Sequence, residues 1–202
     1  MQGDATLTDY EPAFAARMMA AFILSLCLLF AAAAAPGNAR AAGAQPNCAN
    51  QDLRPGQLTR SEQRAAITCL ISYERKRRDR APLKKNEALT KIARSHNALM
   101  LKTECFRHRC PGERPLAERI EKSAYLKGGG RYGFGENLGC AQTPLAQVTE
   151  WMRSRPHRRN ILGRRFRHIG VGAGRGAPNE ARPACRDRGF ATYTVIFAWR
   201  KR

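Results

Sequence analysis

The chain has 202 residues, enough for one globular domain and one separable end. Its 36 Lys and Arg residues against 16 Asp and Glu give a formal charge of +20, so its surface attracts anionic polymers such as wall polymer, acidic lipid or nucleic acid. No basic motif interleaved with aromatics occurs, so nucleic acid is not the expected partner, and the Arg residues read as solubilising cations.

Residues 18–35 form an apolar run behind Arg17, and Pro36-Gly37 and then Ala39-Arg40-Ala41 follow it. A short apolar core ahead of an A-x-A pattern is a secretory signal peptide over residues 1–41, cut after Ala41. The run is also long enough to stay uncleaved as an anchor. Residues 1–41 carry two bases, Arg17 and Arg40, and three acids, Asp4, Asp9 and Glu11, so the positive excess belongs to the rest of the chain. Export removes Cys27 and leaves six cysteines, Cys48, Cys69, Cys105, Cys110, Cys140 and Cys185. An even number in an oxidising compartment, with no C-x-x-C, argues for three disulfides. Of the many pairings available, the sequential one is expected: Cys48–Cys69, Cys105–Cys110 and Cys140–Cys185.

Residues 42–58 read as a linker tied down at Cys48. Thr59-Arg60-Ser61-Glu62 is a capping box, and the helix behind it places Ala65, Ala66, Cys69, Leu70 and Tyr73 on one stripe with Arg and Lys opposite. A second helix opens near Asn86 with Leu89, Ile92, Ala93, His96, Leu99 and Met100 on its apolar side, where His96 reads as a packed core residue. A third, short helix spans about 115–123. The glycines at 128–130, 133 and 135 suggest a flexible approach to a short strand at Gly135-Glu136-Asn137. Thr143-Pro144 opens a helix that buries Leu145, Val148, Trp151 and Met152, and Pro156 ends it. Residues 168–174 and 190–199 have β character and form a hairpin with a long loop. Helices first and strands late give an α+β fold.

Several of these pieces, in order, resemble one family: Ile71-Ser72-Tyr73-Glu74-Arg75, Ala93-Arg94-Ser95-His96-Asn97, Cys105-Phe106-Arg107-His108, Gly135-Glu136-Asn137-Leu138, Trp151-Met152-Arg153-Ser154, His157-Arg158-Arg159-Asn160-Ile161-Leu162 and Ile169-Gly170-Val171-Gly172. Over about residues 59–199 the chain is similar to the CAP superfamily (cysteine-rich secretory proteins, antigen 5 and plant pathogenesis-related proteins of group one), and more closely to its secreted bacterial branch. The resemblance implies an α-β-α sandwich with helices on both faces of a small antiparallel sheet. It also implies an open cleft holding two histidines and two glutamates, which in some members bind a divalent metal. Carried over residue by residue, these are His108, Glu136 and His157; where the second glutamate is expected, this chain has Ser154, with Glu150 one turn earlier.

Two imidazoles and a carboxylate can hold Zn²⁺ with a position left for water, which would support metal-assisted hydrolysis. Arg107 and Arg109 are expected to lower the pKa of His108. The competing expectation is a metal-free hydrogen-bonded network of the same three residues. Ser154 and His157 invite a serine-hydrolase reading, but Pro156 lies between them and nothing orients the base. G-x-S-x-G, H-E-x-x-H and an unpaired cysteine are all absent outside residues 1–41. Three functions remain. The first is a secreted module whose cleft takes a lipid, peptide or wall fragment. The others are a metal-dependent hydrolase in the same cleft and a binder of anionic polymer through surface Arg and Lys. The first is preferred, because it needs no catalytic set.

Overall fold

A computed structural model describes residues 46–185 and 189–201. The apolar run 18–35, the cleavage pattern at 39–41 and the start of the expected linker lie outside the described residues. No helix among those described is long and apolar enough to cross a membrane.

Helix α1 (Arg60–Lys76) begins as its capping box dictates: Thr59 Oγ1 accepts from the Glu62 amide, and the Glu62 carboxylate accepts from the Thr59 amide. Its buried stripe differs from the expected one. Ala66 and Leu70 are buried with Ile67 and Ile71, whereas Ala65 and Cys69 face out. Arg75, expected on the solvated face, is 1% exposed. It donates to Ile161 O, Gly163 O and Ala81 O, so its charge rests among backbone carbonyls that would otherwise lack partners. Burial lowers its pKa, and the nearby Arg167 and Arg80 add to the effect.

The two-residue strand β1 (Lys84–Lys85) leads into α2 (Glu87–Thr103), whose N-cap Asn86 accepts from the Leu89 amide. Helix α3 (Leu116–Glu121) is followed by β2 (Arg131–Ala141). The glycine-rich approach is therefore strand rather than flexible lead-in. It pairs along its whole length with β4 (Ala191–Lys201), placing Glu136 opposite Ile196 and Leu138 opposite Thr194. Tertiary pairing overrides the weak strand propensity of glycine here. Helix α4 (Pro144–Arg153) has Thr143 as N-cap, and α5 (Arg155–Leu162) follows after Ser154 alone. Pro156 thus sits in the first turn of a new helix, where a missing N–H costs nothing, as well as ending the old one. Strand β3 (His168–Arg175) and β4 form the expected hairpin, with Pro183–Cys185 as a 3₁₀ turn in its loop.

The sheet order is β1-β3-β4-β2, antiparallel except that β1 runs parallel to β3. Ile67, Leu70, Val148, Trp151 and Ile161 of α1, α4 and α5 pack on one face against Val171, Tyr193, Val195 and Phe197. Leu89, Ile92, Leu116 and Ile120 of α2 and α3 pack on the other against Ile196 and Ala198. β4 is buried on both faces, which is why it reads as a continuous apolar run. On β3, Gly170 and Gly172 let α2 lie against the sheet: a Cβ there would come within 2.2 Å of Leu89 C and 2.3 Å of Ala93 O. The result is the α-β-α sandwich. All three disulfides pair as expected: Cys48–Cys69, Cys105–Cys110 and Cys140–Cys185.

Candidate functional site

His108 lies in the loop that follows α2. Glu104, in the left-handed conformation at φ 55°, ends that helix, and Cys105–Cys110 closes the loop around the histidine. Glu113 anchors it from below. Its carboxylate lies 2.9 Å from Nδ1 of the fully buried His96, accepts from the Cys110 amide at 3.3 Å, and pairs with Arg119 at 3.1 Å. Arg119 also donates to His108 O. On the outer side Glu180 takes Arg107 in two bonds of 2.9 Å and accepts from the Phe106 amide.

So held, the exposed His108 ring reaches Glu136 on β2, with Nδ1 2.7 Å from Oε2. Glu136 is buried, and its other oxygen, Oε1, has no hydrogen-bond partner among the described residues. The hydrogen bond to Glu136 raises the pKa of His108; partial burial opposes this, the charge of Glu136 adds to it and Arg119 subtracts. This is the reverse of the direction expected from the sequence. That expectation fails because Arg107 is turned to Glu180 and Arg109 to the carbonyl of Glu113, leaving the carboxylate as the nearest charge.

The outer edge of β2 is fastened to α4 and α5 by side chains. Trp151 Nε1 donates to Leu138 O at 2.8 Å, and Asn137 Nδ2 to His157 O at 3.1 Å. Asn160 Nδ2 donates to Glu136 O and to Asn137 Oδ1. Residues of the two matching motifs, Asn137 and Asn160, thereby hold Glu136 and His157 in place. Beside them is a cavity of about 410 Å³ lined by Phe106, Leu138, Gln147, Trp151, Ser154 and His157, among others. His157 is half-buried, and burial lowers its pKa, followed by the charge of His108. Gln147 is 1% exposed, and its Oε1 has no partner among the described residues. Sequence reasoning passed over Gln147, although an amide at helical spacing between Pro144 and Trp151 on the buried side of α4 is the kind of signal that marks a polar group in a wall.

His108 and Glu136 therefore meet, while His157 and Ser154 line the neighbouring cavity. Among the described residues, no group of three or more His, Cys, Asp or Glu is placed to hold a metal ion. One glutamate oxygen is hydrogen-bonded to His108, and the other has no partner among the described residues. Glu150, the candidate substitute acid, is paired with Arg182. Ser154 is the link between two helices; its carbonyl accepts from the Arg158 amide, and nothing orients the His157 ring as a base toward it.

Comparison with known proteins agrees with this architecture. An uncharacterized protein of Bacillus subtilis, YkwD, is 35% identical over 104 residues, 51% of this chain and 39% of the relative, so the chain spans well under half the length of that protein. Among solved structures, an outer surface protein from Borrelia burgdorferi superposes with a TM-score of 0.58 at 17% identity, over 71% of this chain and 97% of that one. An extracellular protein containing an SCP domain from Bacillus anthracis gives 0.52 at 23% identity, over 71% and 44%. At such identities the two structures establish the fold alone. The model of the cysteine-rich secretory protein family, CAP, matches residues 69–196, and the chain belongs to that family.

Proposed function

We propose that this protein is an extracellular binding module, exported by its N-terminal segment, whose cavity between β2 and α4 takes a peptide or wall fragment. The observation that carries this reading is the cavity itself, about 410 Å³ between β2 and α4, whose wall sets polar Gln147, Ser154 and His157 beside apolar side chains. Phe106, Leu138 and Trp151 supply the apolar remainder of the wall, an arrangement usual for organic ligands. Near the mouth, the hydrogen bond to Glu136 raises the pKa of His108 and burial lowers that of His157, so the two imidazoles differ in their hold on a proton. No step of catalysis is needed.

Calorimetric titration with a disaccharide-tripeptide wall fragment, beside Gln147→Leu and His157→Ala, tests this. Saturable binding weakened in both variants is expected. A fatty acid that binds more tightly, with no change in Gln147→Leu, would replace the reading with a lipid site. Titration with Zn²⁺ is expected to show no stoichiometric binding. A tight site lost in both His108→Ala and His157→Ala would reinstate the metal-dependent hydrolase.

A further inference from the structure

A second large cavity lies at the opposite edge of the sheet from β2. It has a volume of about 560 Å³ and sits between α1 and α2 over the outer edge of β3. Four cations border it: Arg60 and Arg64 from α1, Lys91 and Arg94 from α2. Small residues, Ala98, Ala173 and Gly174, keep its floor open. A smaller cavity of about 170 Å³ adjoins it, sharing Arg64, Arg94 and Glu87 and adding Lys85.

These cations have no close side-chain partner among the described residues. None of the four makes a side-chain hydrogen bond or ion pair with another described residue. This contrasts with Arg75, Arg107, Arg119, Arg175 and Arg182, each of which is tied to carbonyls or carboxylates. Burial lowers the pKa of Arg64, and Arg94 and Arg60 lower it further against the single opposing acid, Glu87. Guanidinium groups are thus gathered closely enough to repel one another, with Glu87 the one carboxylate lining the cavity. Both helices also begin at this cavity, through Arg60 and Glu87, so their dipoles add positive potential.

The geometry points to this groove as a binding site for a compact polyanion, a ligand carrying two or more linked phosphate groups, separate from the cleft at β2. Guanidiniums brought to one groove from two helices suit phosphate oxygens, which accept paired N–H bonds from one Arg. At about 560 Å³ the cavity has room for more than one phosphate, so a ligand with linked phosphates uses more of its cationic border than a single phosphate does. The same chemistry occurs in a soluble or polymeric phosphate chain and in the headgroup of a diphosphate lipid.

The test is calorimetry of the protein with inorganic tripolyphosphate at two salt concentrations, and flotation with phosphatidylcholine vesicles doped with cardiolipin. Saturable tripolyphosphate binding is expected, weaker at the higher salt. It should fall at least tenfold in the combined Arg64→Gln, Arg94→Gln variant and remain unchanged in His108→Ala. Glu87→Gln should tighten it. Vesicle binding lost in the same double variant would assign the phosphates to a lipid headgroup; tripolyphosphate binding alone would assign them to a soluble or polymeric chain. Circular dichroism melting of the double variant separates lost binding from lost fold, because arginines without partners should leave the melting temperature unchanged when replaced. Binding that is non-saturable, or equal in the double variant and the parent, would overturn the inference.

Discussion

The two outer edges of the sheet are treated differently. At β2 the edge carbonyls of Glu136 and Leu138 are taken by Asn160 and Trp151, and the buried carboxylate of Glu136 meets His108. At β3 the covering strand β1 lasts for two residues, and past it the flanking helices present Arg60, Arg64, Lys91 and Arg94 with no described partner. Partnered polar groups are the fold's own fastenings, and their loss is felt as stability. Unpartnered ones do little for the folded state, and their loss is felt at a ligand. By that criterion the cleft at β2 is mostly scaffold, with Glu136 Oε1 and Gln147 Oε1 left unpaired among the described residues, while the groove at β3 is mostly open.

The largest effect should come from the covalent part of the β2 side. Cys140–Cys185 closes a loop across 45 residues of sequence and ties the end of β2 to the turn before β4. Loop-closure entropy makes it worth about 4 kcal/mol. Thermal melting of Cys140→Ala/Cys185→Ala should show a far greater loss than His108→Ala or His157→Ala, and equal melting of all three would break the comparison. Next is the fit of α2 on β3. Gly172→Val places a side chain against the carbonyl of Ala93, and overpacking of this kind costs about 1–3 kcal/mol. Chemical denaturation should register it, whereas Arg94→Gln, the next residue along α2 but on the open groove, should be silent. Thr59→Ala follows, removing the α1 cap for about 1 kcal/mol. If it also weakened tripolyphosphate binding by more than that, the N-terminus of α1 would be part of the groove.

How far these features could be read from the chain depends on how local their causes are. The caps at Thr59 and Thr143 and the helix start near Asn86 are set by residues within one helical turn, and all three form as read. The sequential disulfides and the placement of His96 in the core also follow from compartment and periodicity. β2 did not follow, because its glycines argue locally against a strand that the distant β4 imposes by pairing in register. Arg75 reads as a solvated cation at a helix end, and only the carbonyls of α5 and the loop behind it explain its burial. His108 meeting Glu136 was legible through the resemblance alone, since no spacing links a disulfide loop to a strand residue. The convergence of Arg60 and Arg64 with Lys91 and Arg94 joins two helices on opposite faces of a sheet at its edge, which charge counting along the chain cannot reveal.

The smallest effect is the one that dissects the cleft most finely. Glu136 raises the pKa of His108 above the ordinary 6.5, so the folded state holds the proton more strongly than the unfolded chain. The stability this contributes is fully present below pH 6.5 and is lost as pH rises through the folded value. Burial lowers the pKa of His157 below 6.5, so the folded state resists its protonation. Its contribution is present above 6.5 and is lost as pH falls through its folded value. The two limbs therefore lie on opposite sides of 6.5, and melting temperature followed across pH should separate them: His108→Gln flattens the alkaline limb and His157→Gln the acidic one. Glu136→Gln should behave as His108→Gln does, because the carboxylate is the main source of the raised value. Should Glu136→Gln instead remove both limbs, the two histidines would be answering to one carboxylate. The cleft would then titrate as a single network, and its histidines would count as fastenings of the β2 edge together with Trp151 and Asn160.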